Sequence, residues 1–120
     1  EYNKAAFGGT TQNYPWGNQE PTCELGNSFG CVGGTTPVGS YPGGVSPFGL
    51  FDMNGNAAEW VQDGYDEDSQ FQTDTNKVFW RVNKGGSWSD SPYPRGGGTW
   101  TPPEHTQDNL GFRCVLDVEE

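Results

Sequence analysis

The sequence predicts a single loop-rich α+β domain, held by aromatic side chains and short of regular helix and strand. Three observations predict it. Glycine and proline are frequent, 19 and 9 of 120 residues, which leaves little room for long uninterrupted elements. Hydrophobic residues make up only 31 % of the chain, a composition that by itself points towards disorder. Five Trp, five Tyr and seven Phe reverse that reading, since each buried large ring contributes roughly 1.5–3 kcal/mol. A chain of this length has room for one domain and one modest core.

The elements follow in order. Residues 1–7 read as the last turn of a helix, stopped by Gly8-Gly9. Residues 10–47 are turns and loops, punctuated by Tyr14-Pro15-Trp16-Gly17, Gly33-Gly34 and Tyr41-Pro42-Gly43-Gly44. One short strand could lie within residues 35–41. Residues 48–61 are the most structured segment, with apolar Phe48, Leu50, Phe51 and Met53. A tight turn at Asn54-Gly55-Asn56 follows, and residues 57–61 look helical. Asp63, Asp66, Glu67, Asp68 and Asp74 mark an acidic, solvated loop without the ligand spacing of an EF-hand. Residues 78–82 read as a strand, with residues 84–88 pairing beside it. Pro92, Pro94, Pro102 and Pro103 keep residues 89–109 irregular, and residues 110–116 alternate as a final strand. Trp60, Trp80 and Trp88 are expected in the core, with Trp16 beneath the loops. Cys114 is expected as a small buried hydrophobe, and Arg113 as the partner of a carboxylate.

Composition also excludes partners. A formal charge of −10 with six Lys plus Arg repels a phosphate backbone, so nucleic acid is not expected. No apolar run approaches the ~18 residues of a membrane span. Of three cysteines, Cys23 and Cys31 flank a glycine-containing loop and could close a small disulfide ring, or remain two reduced thiols. A disulfide would favour an extracytoplasmic or secreted protein.

Five phrases then occur in an order that resembles the formylglycine-generating enzyme (sulfatase-modifying factor) family. They are Tyr14-Pro15-Trp16-Gly17-Asn18, the segment 36–42, the segment 48–60 through Asn54-Gly55-Asn56 to Glu59-Trp60, the segment 81–88 ending Gly85-Gly86-Ser87-Trp88, and Gly111-Phe112-Arg113-Cys114. The resemblance implies a C-type-lectin-like fold with a small twisted antiparallel sheet. It also implies that the 120 residues are the C-terminal portion of such a domain, beginning where the family has the end of its second helix. The other part would be cleaved, absent or supplied by another chain.

Site residues come from the same resemblance. The family's enzymes hold copper with two cysteines just after the Gly-Gly-Ser phrase, because soft thiolates select Cu(I). Here Asp90 and the residues around Pro92 stand in that place. No copper is therefore expected, and no catalytic residue is assigned. The family's calcium segment carries over to Asp52 and Glu59 as carboxylate ligands, and to Gly55 and Ala57 as carbonyl ligands. These are the hard oxygens calcium prefers. Without the resemblance, Glu59 and Asp52 read equally as turn-capping residues. A second family calcium loop is represented only by residues 24–33, where Glu24 is the one candidate remnant. Tyr93, Arg95, Trp100 and His105 lie in the stretch that lines the family's ligand face, and aromatics with Arg are common binding anchors.

These readings converge on a non-catalytic, calcium-stabilised binding or assembly module, with a protein partner or self-assembly. Two alternatives remain: a structural subunit of an extracellular assembly, and an oxidoreductase of the family completed by a missing segment. In the family's sulfoxide-forming branch the iron ligands come from a separate domain, whereas this chain has a single histidine, His105.

Overall fold

The opening helix ends where its glycines end it. α1 (Tyr2–Phe7) stops at Gly8, whose φ of 60° is left-handed and whose N–H closes on the Lys4 carbonyl. The computed structural model describes residues 1–65 and 80–117. After α1 a long loop layer contains one 3-10 turn at Pro42–Gly44, and four strands follow. They are β1 (Ala58–Tyr65), β2 (Trp80–Lys84), β3 (Gly98–Thr101) and β4 (Leu110–Gly111), with a second 3-10 turn at Pro94–Gly96 before β3. The strand order is β3-β2-β1-β4. No helix among the described residues is long and apolar enough to cross a membrane.

The small sheet agrees with the expectation, but its pairing is mixed. β1 and β2 run antiparallel, as do β2 and β3, whereas β4 joins β1 in parallel through Ala58–Leu110 and Glu59–Gly111. Four local readings are corrected. Residues 57–61, read as helical, open β1 instead: the Ala-rich sequence favours helix locally, but two flanking strands claim its backbone. Residues 84–88 do not pair beside β2, because Gly85 and Gly86 turn the chain away at φ 89° and 65°. Residues 89–109, read as irregular, contain β3, which fits between Pro94 and Pro102 and is the partner of β2. Residues 35–41 form no strand, since the N–H and carbonyl of Thr36 are met by the Asn56 side chain. Val78, Phe79 and the acidic loop beyond Tyr65 lie outside the described residues.

The interior also differs from the aromatic core the composition implied. Its apolar centre is small: Ala6, Phe7 and Met53, with Tyr2, Ala5 and Leu50 against it. Trp16, Trp60, Trp80 and Trp88 are only half-buried, and Trp16 stacks on Tyr14 at 5.1 Å. Much of what is buried is polar, namely Asn27, Asn54, Asn56, Asn83 and Ser87. Such groups fold inward only when hydrogen-bonded. Asn27, Asn54 and Asn56 bond loop backbone, Asn83 bonds the Thr99 and Thr101 side chains of β3, and Ser87 bonds the Asp90 carboxylate, while Asn27 Oδ1 meets no partner among the described residues. Cys23 and Cys31 are joined in a disulfide, and Cys114, expected to be buried, is exposed because β4 ends before it.

Candidate functional site

The candidate site is built on the turn that leads into β1. Asp52, Gly55 and Asn56 all have left-handed backbones, at φ 56°, 92° and 65°. Asn tolerates that region through its short polar side chain, and glycine through its missing Cβ. A Cβ on Gly55 would meet the Asn27 carbonyl at 2.6 Å, so the loop holding Asn27 presses directly on the turn. The turn is then locked from three sides. Gly55 N–H donates to Gly85, Asn56 N–H donates to Asn27, and Trp88 N–H donates to the Asn56 carbonyl.

Past the turn, β1 carries Glu59, which is 7 % exposed. A carboxylate so placed needs a cation, and Arg113 supplies one from the residues following β4. Arg113 Nε reaches Glu59 Oε2 at 2.6 Å and Nη2 reaches Oε1 at 2.5 Å, a two-pronged pair. Nη2 also donates to the Phe51 carbonyl at 2.9 Å, and more loosely to that of Asp52 at 3.4 Å. The hydrogen bond to Glu59 raises the Arg113 pKa against the opposing effect of burial.

Tyr2 lies behind this pair and donates to the Met53 carbonyl at 2.7 Å. Burial, reinforced by the charge of Glu59, pushes its phenol far above the ordinary range, while Arg113 pulls the other way. An unfolded tyrosine ionises near pH ~10. The stability Tyr2 contributes is therefore complete below about pH 10 and falls as pH rises beyond it. Tyr2→Phe is expected to cost about 1 kcal/mol at pH 7 and to flatten the alkaline limb. Urea unfolding between pH 7 and 11 reads both effects, and an unchanged alkaline limb would refute the assignment.

The four calcium candidates are only partly gathered. Asp52, Ala57 and Glu59 line one cleft of about 580 Å³, but Gly55 does not line it. Asp52 Oδ2 accepts the Gly39 N–H at 2.8 Å, and both Glu59 oxygens carry Arg113. Among the described residues no turn or loop hydrogen bond ends on the Gly55 or Ala57 carbonyl. No group of three or more His, Cys, Asp or Glu side chains converges either. A cation here would thus draw on carbonyls and on the lone pairs that Arg113 leaves on Glu59. The donor set is hard oxygen throughout and fits calcium chemically.

Asp90, which the resemblance sets where the family's copper ligands are expected, closes a hydrogen-bonded turn. Asp90 accepts the Ser87 N–H at 2.9 Å and the Ser87 hydroxyl at 2.5 Å, while its own carbonyl accepts the Phe29 N–H. Asn109 donates to Ser87 and Ser89 and ties the turn to the approach to β4.

The four ligand-face candidates stand in different surroundings. Tyr93 is half-buried against Gly86 and Gly97, and its carbonyl accepts from Asn54. Arg95 extends over the Phe7 ring at 6.0 Å and donates to the Gln12 carbonyl. Trp100 stands half-exposed on β3, and His105 is exposed in the turn after it. Sequence reasoning missed Asn27 and Ser87 as organising residues. Asn27 carried no local signal, and Ser87 was read only as part of a phrase.

The sulfatase-modifying factor enzyme 1-like domain model matches residues 1–118. The chain belongs to that family. The hercynine oxygenase of Mycolicibacterium smegmatis is 31 % identical over 92 % of this chain and 29 % of its own length. The inactive C-alpha-formylglycine-generating enzyme 2 of Bos taurus is 33 % identical over 96 % of this chain and 41 % of its own. Among solved structures, Treponema denticola variable protein 1 superposes with a TM-score of 0.74 at 25 % identity, over 93 % of this chain and 43 % of that one. The chain therefore spans under half the length of each of these proteins. Its loop-rich mixed sheet is the family's C-type-lectin-like fold.

Proposed function

We propose that this chain is a non-catalytic, calcium-stabilised binding or assembly module of its family. The observation that carries the reading is the thiol inventory. Cys23 and Cys31 are consumed by a disulfide, which leaves Cys114 alone, and the turn at Ser87 to Asp90 offers a carboxylate already holding two donors. A two-thiolate Cu(I) site needs soft ligands that this turn does not provide. Similarity to a relative named as inactive supports the same direction. The disulfide favours an extracytoplasmic setting. Arg95 and the half-exposed Trp100 are the side chains best presented to a protein partner.

Calcium would be held by Asp52 and Glu59 with the Ala57 carbonyl, sharing Glu59 with Arg113. Chelator-treated protein is expected to melt about 5–10 °C lower than protein in millimolar calcium. Glu59→Gln should abolish that difference. Identical melting with and without calcium would refute the calcium reading and leave the thiol argument standing.

A second reading, an oxidoreductase part completed by other polypeptide, is favoured by the similarity to hercynine oxygenase. Iron-dependent oxygen consumption by the protein as isolated from its cells would support it over the first.

A further inference from the structure

The Cys23–Cys31 disulfide closes a short ring in the loop layer, its two cysteines eight positions apart. The residues inside the ring hold their neighbours in place. The Asn27 carbonyl accepts the Asn56 N–H at 2.7 Å, and the Asn27 side chain donates to the Gly34 carbonyl at 2.8 Å. Gly26 lies so close to the turn before β1 that a Cβ on it would meet the Asn54 carbonyl at 3.0 Å. Phe29 N–H donates to the Asp90 carbonyl at 2.9 Å. Residues 26–29 thus join the turn at residues 54–56 to the turn at residues 87–90, although the ring contributes no residue to β1–β4.

The two sulfurs are differently placed. Cys23 is exposed and Cys31 half-buried. The Cys31 sulfur lies 3.8 Å from the Ser28 hydroxyl and 3.9 Å from the Gly26 carbonyl. Ser28 is 8 % exposed, and its carbonyl accepts the Cys31 N–H at 3.1 Å, which keeps the hydroxyl beside the sulfur. Thiol exchange depends on which sulfur an attacking thiolate can reach and on how well the departing sulfur carries negative charge. A neighbouring hydroxyl assists departure by donating to that charge.

We propose that Cys23–Cys31 is a thiol-exchange site whose opening releases the turn at residues 54–56. Cys23 is the sulfur attacked, Cys31 the leaving group and Ser28 its hydrogen-bond donor. The reductant is a dithiol. Its first thiolate bonds to the Cys23 sulfur as the S–S bond breaks, and the electron pair leaves on the Cys31 sulfur. Its second thiolate then attacks the mixed disulfide, releases Cys23 and departs as a disulfide. Two electrons pass to the protein, and the protons lost by the attacking thiols end on the two cysteines. The closed ring holds Asn27 against Asn56. Opening it returns conformational freedom to residues 23–31, so the bonds from Asn27 and Phe29 become easier to break locally. The proposal does not rest on the calcium reading.

The test uses the oxidised protein with the exposed Cys114 first blocked by iodoacetamide. Glutathione, a monothiol, is then added, the free sulfur is trapped by alkylation, and the adduct is located by peptide mass spectrometry. An adduct on Cys23 is expected, and one mainly on Cys31 overturns the assignment. Ser28→Ala should slow reduction by dithiothreitol about three- to tenfold, without altering hydrogen exchange at Asn56 in the oxidised protein. An equal rate of reduction overturns the role of Ser28. Reduction of the parent protein should speed exchange at Phe29 and Asn56 at least about tenfold, while the β2–β3 ladder stays protected. Unchanged exchange at Asn56 overturns the coupling to the turn. Loss of protection throughout overturns it too, because the disulfide would then staple the whole fold.

Discussion

Arg113→Ala is expected to cost about 3 kcal/mol, because it leaves Glu59 buried without its cation. The figure sits at the low end for such pairs because the Arg113 side chain is 34 % exposed and water screens part of the interaction. The loss also removes donors from the Phe51 and Asp52 carbonyls, so the segment before the turn should loosen with it. A double-mutant cycle separates the pair from its surroundings. Replacing both Glu59 and Arg113 by methionine should cost less than Arg113→Met alone, since no charge is then left stranded. Urea unfolding of the four proteins gives the coupling. Calcium adds a further arm: with Arg113 gone, Glu59 has no competing cation, so added calcium should restore more stability to Arg113→Ala than it adds to the parent. Equal calcium responses would mean that the two cations do not share Glu59.

Asn56→Ala is the second large effect, expected at about 3–4 kcal/mol. Asn56 Oδ1 accepts from Thr36 N–H at 2.8 Å and Thr36 Oγ1 at 3.2 Å, and from Asn27 Nδ2 at 3.3 Å. Its Nδ2 donates to the Thr36 carbonyl at 3.1 Å. Alanine removes all four contacts and must also hold φ 65°, a region in which a Cβ is strained. Asn56→Gly loses the same hydrogen bonds without the strain and should be about 1 kcal/mol less damaging. Hydrogen exchange at Thr36 should rise by the same factor in both variants, since both lose its partner. If alanine and glycine prove equal, the backbone conformation contributes nothing measurable. If both cost under about 1 kcal/mol, the buried amides are not what joins the loop layer to the sheet.

The two predictions differ in how far the sequence could have reached them. Arg113 was expected to pair with a carboxylate, because an arginine amid apolar residues seldom goes unpaired. Which carboxylate it pairs with followed only from the parallel pairing of β4 with β1, which sets residue 111 opposite residue 59. The turn at residues 54–56 was legible from its Asn-Gly-Asn composition. Its tie to Asn27 and Thr36, 29 and 20 residues away, was not, since no periodicity links a loop amide to a distant turn.

What the sequence by itself determined is the punctuation and the family. Gly8 ends the helix, glycines and prolines keep the regular elements short, the acidic balance gives no reason to expect a nucleic-acid partner, and five ordered phrases identify the family. Each is a local property, fixed by the backbone freedom or charge of the residues concerned. Only the tertiary structure decided that residues 58–61 are strand rather than helix, that the interior is filled largely with bonded amides, and that among the described residues the ladder of the last predicted strand stops at Gly111. These are outcomes of pairing. A backbone group takes the partner that the whole fold brings to it, which no local pattern in the sequence specifies.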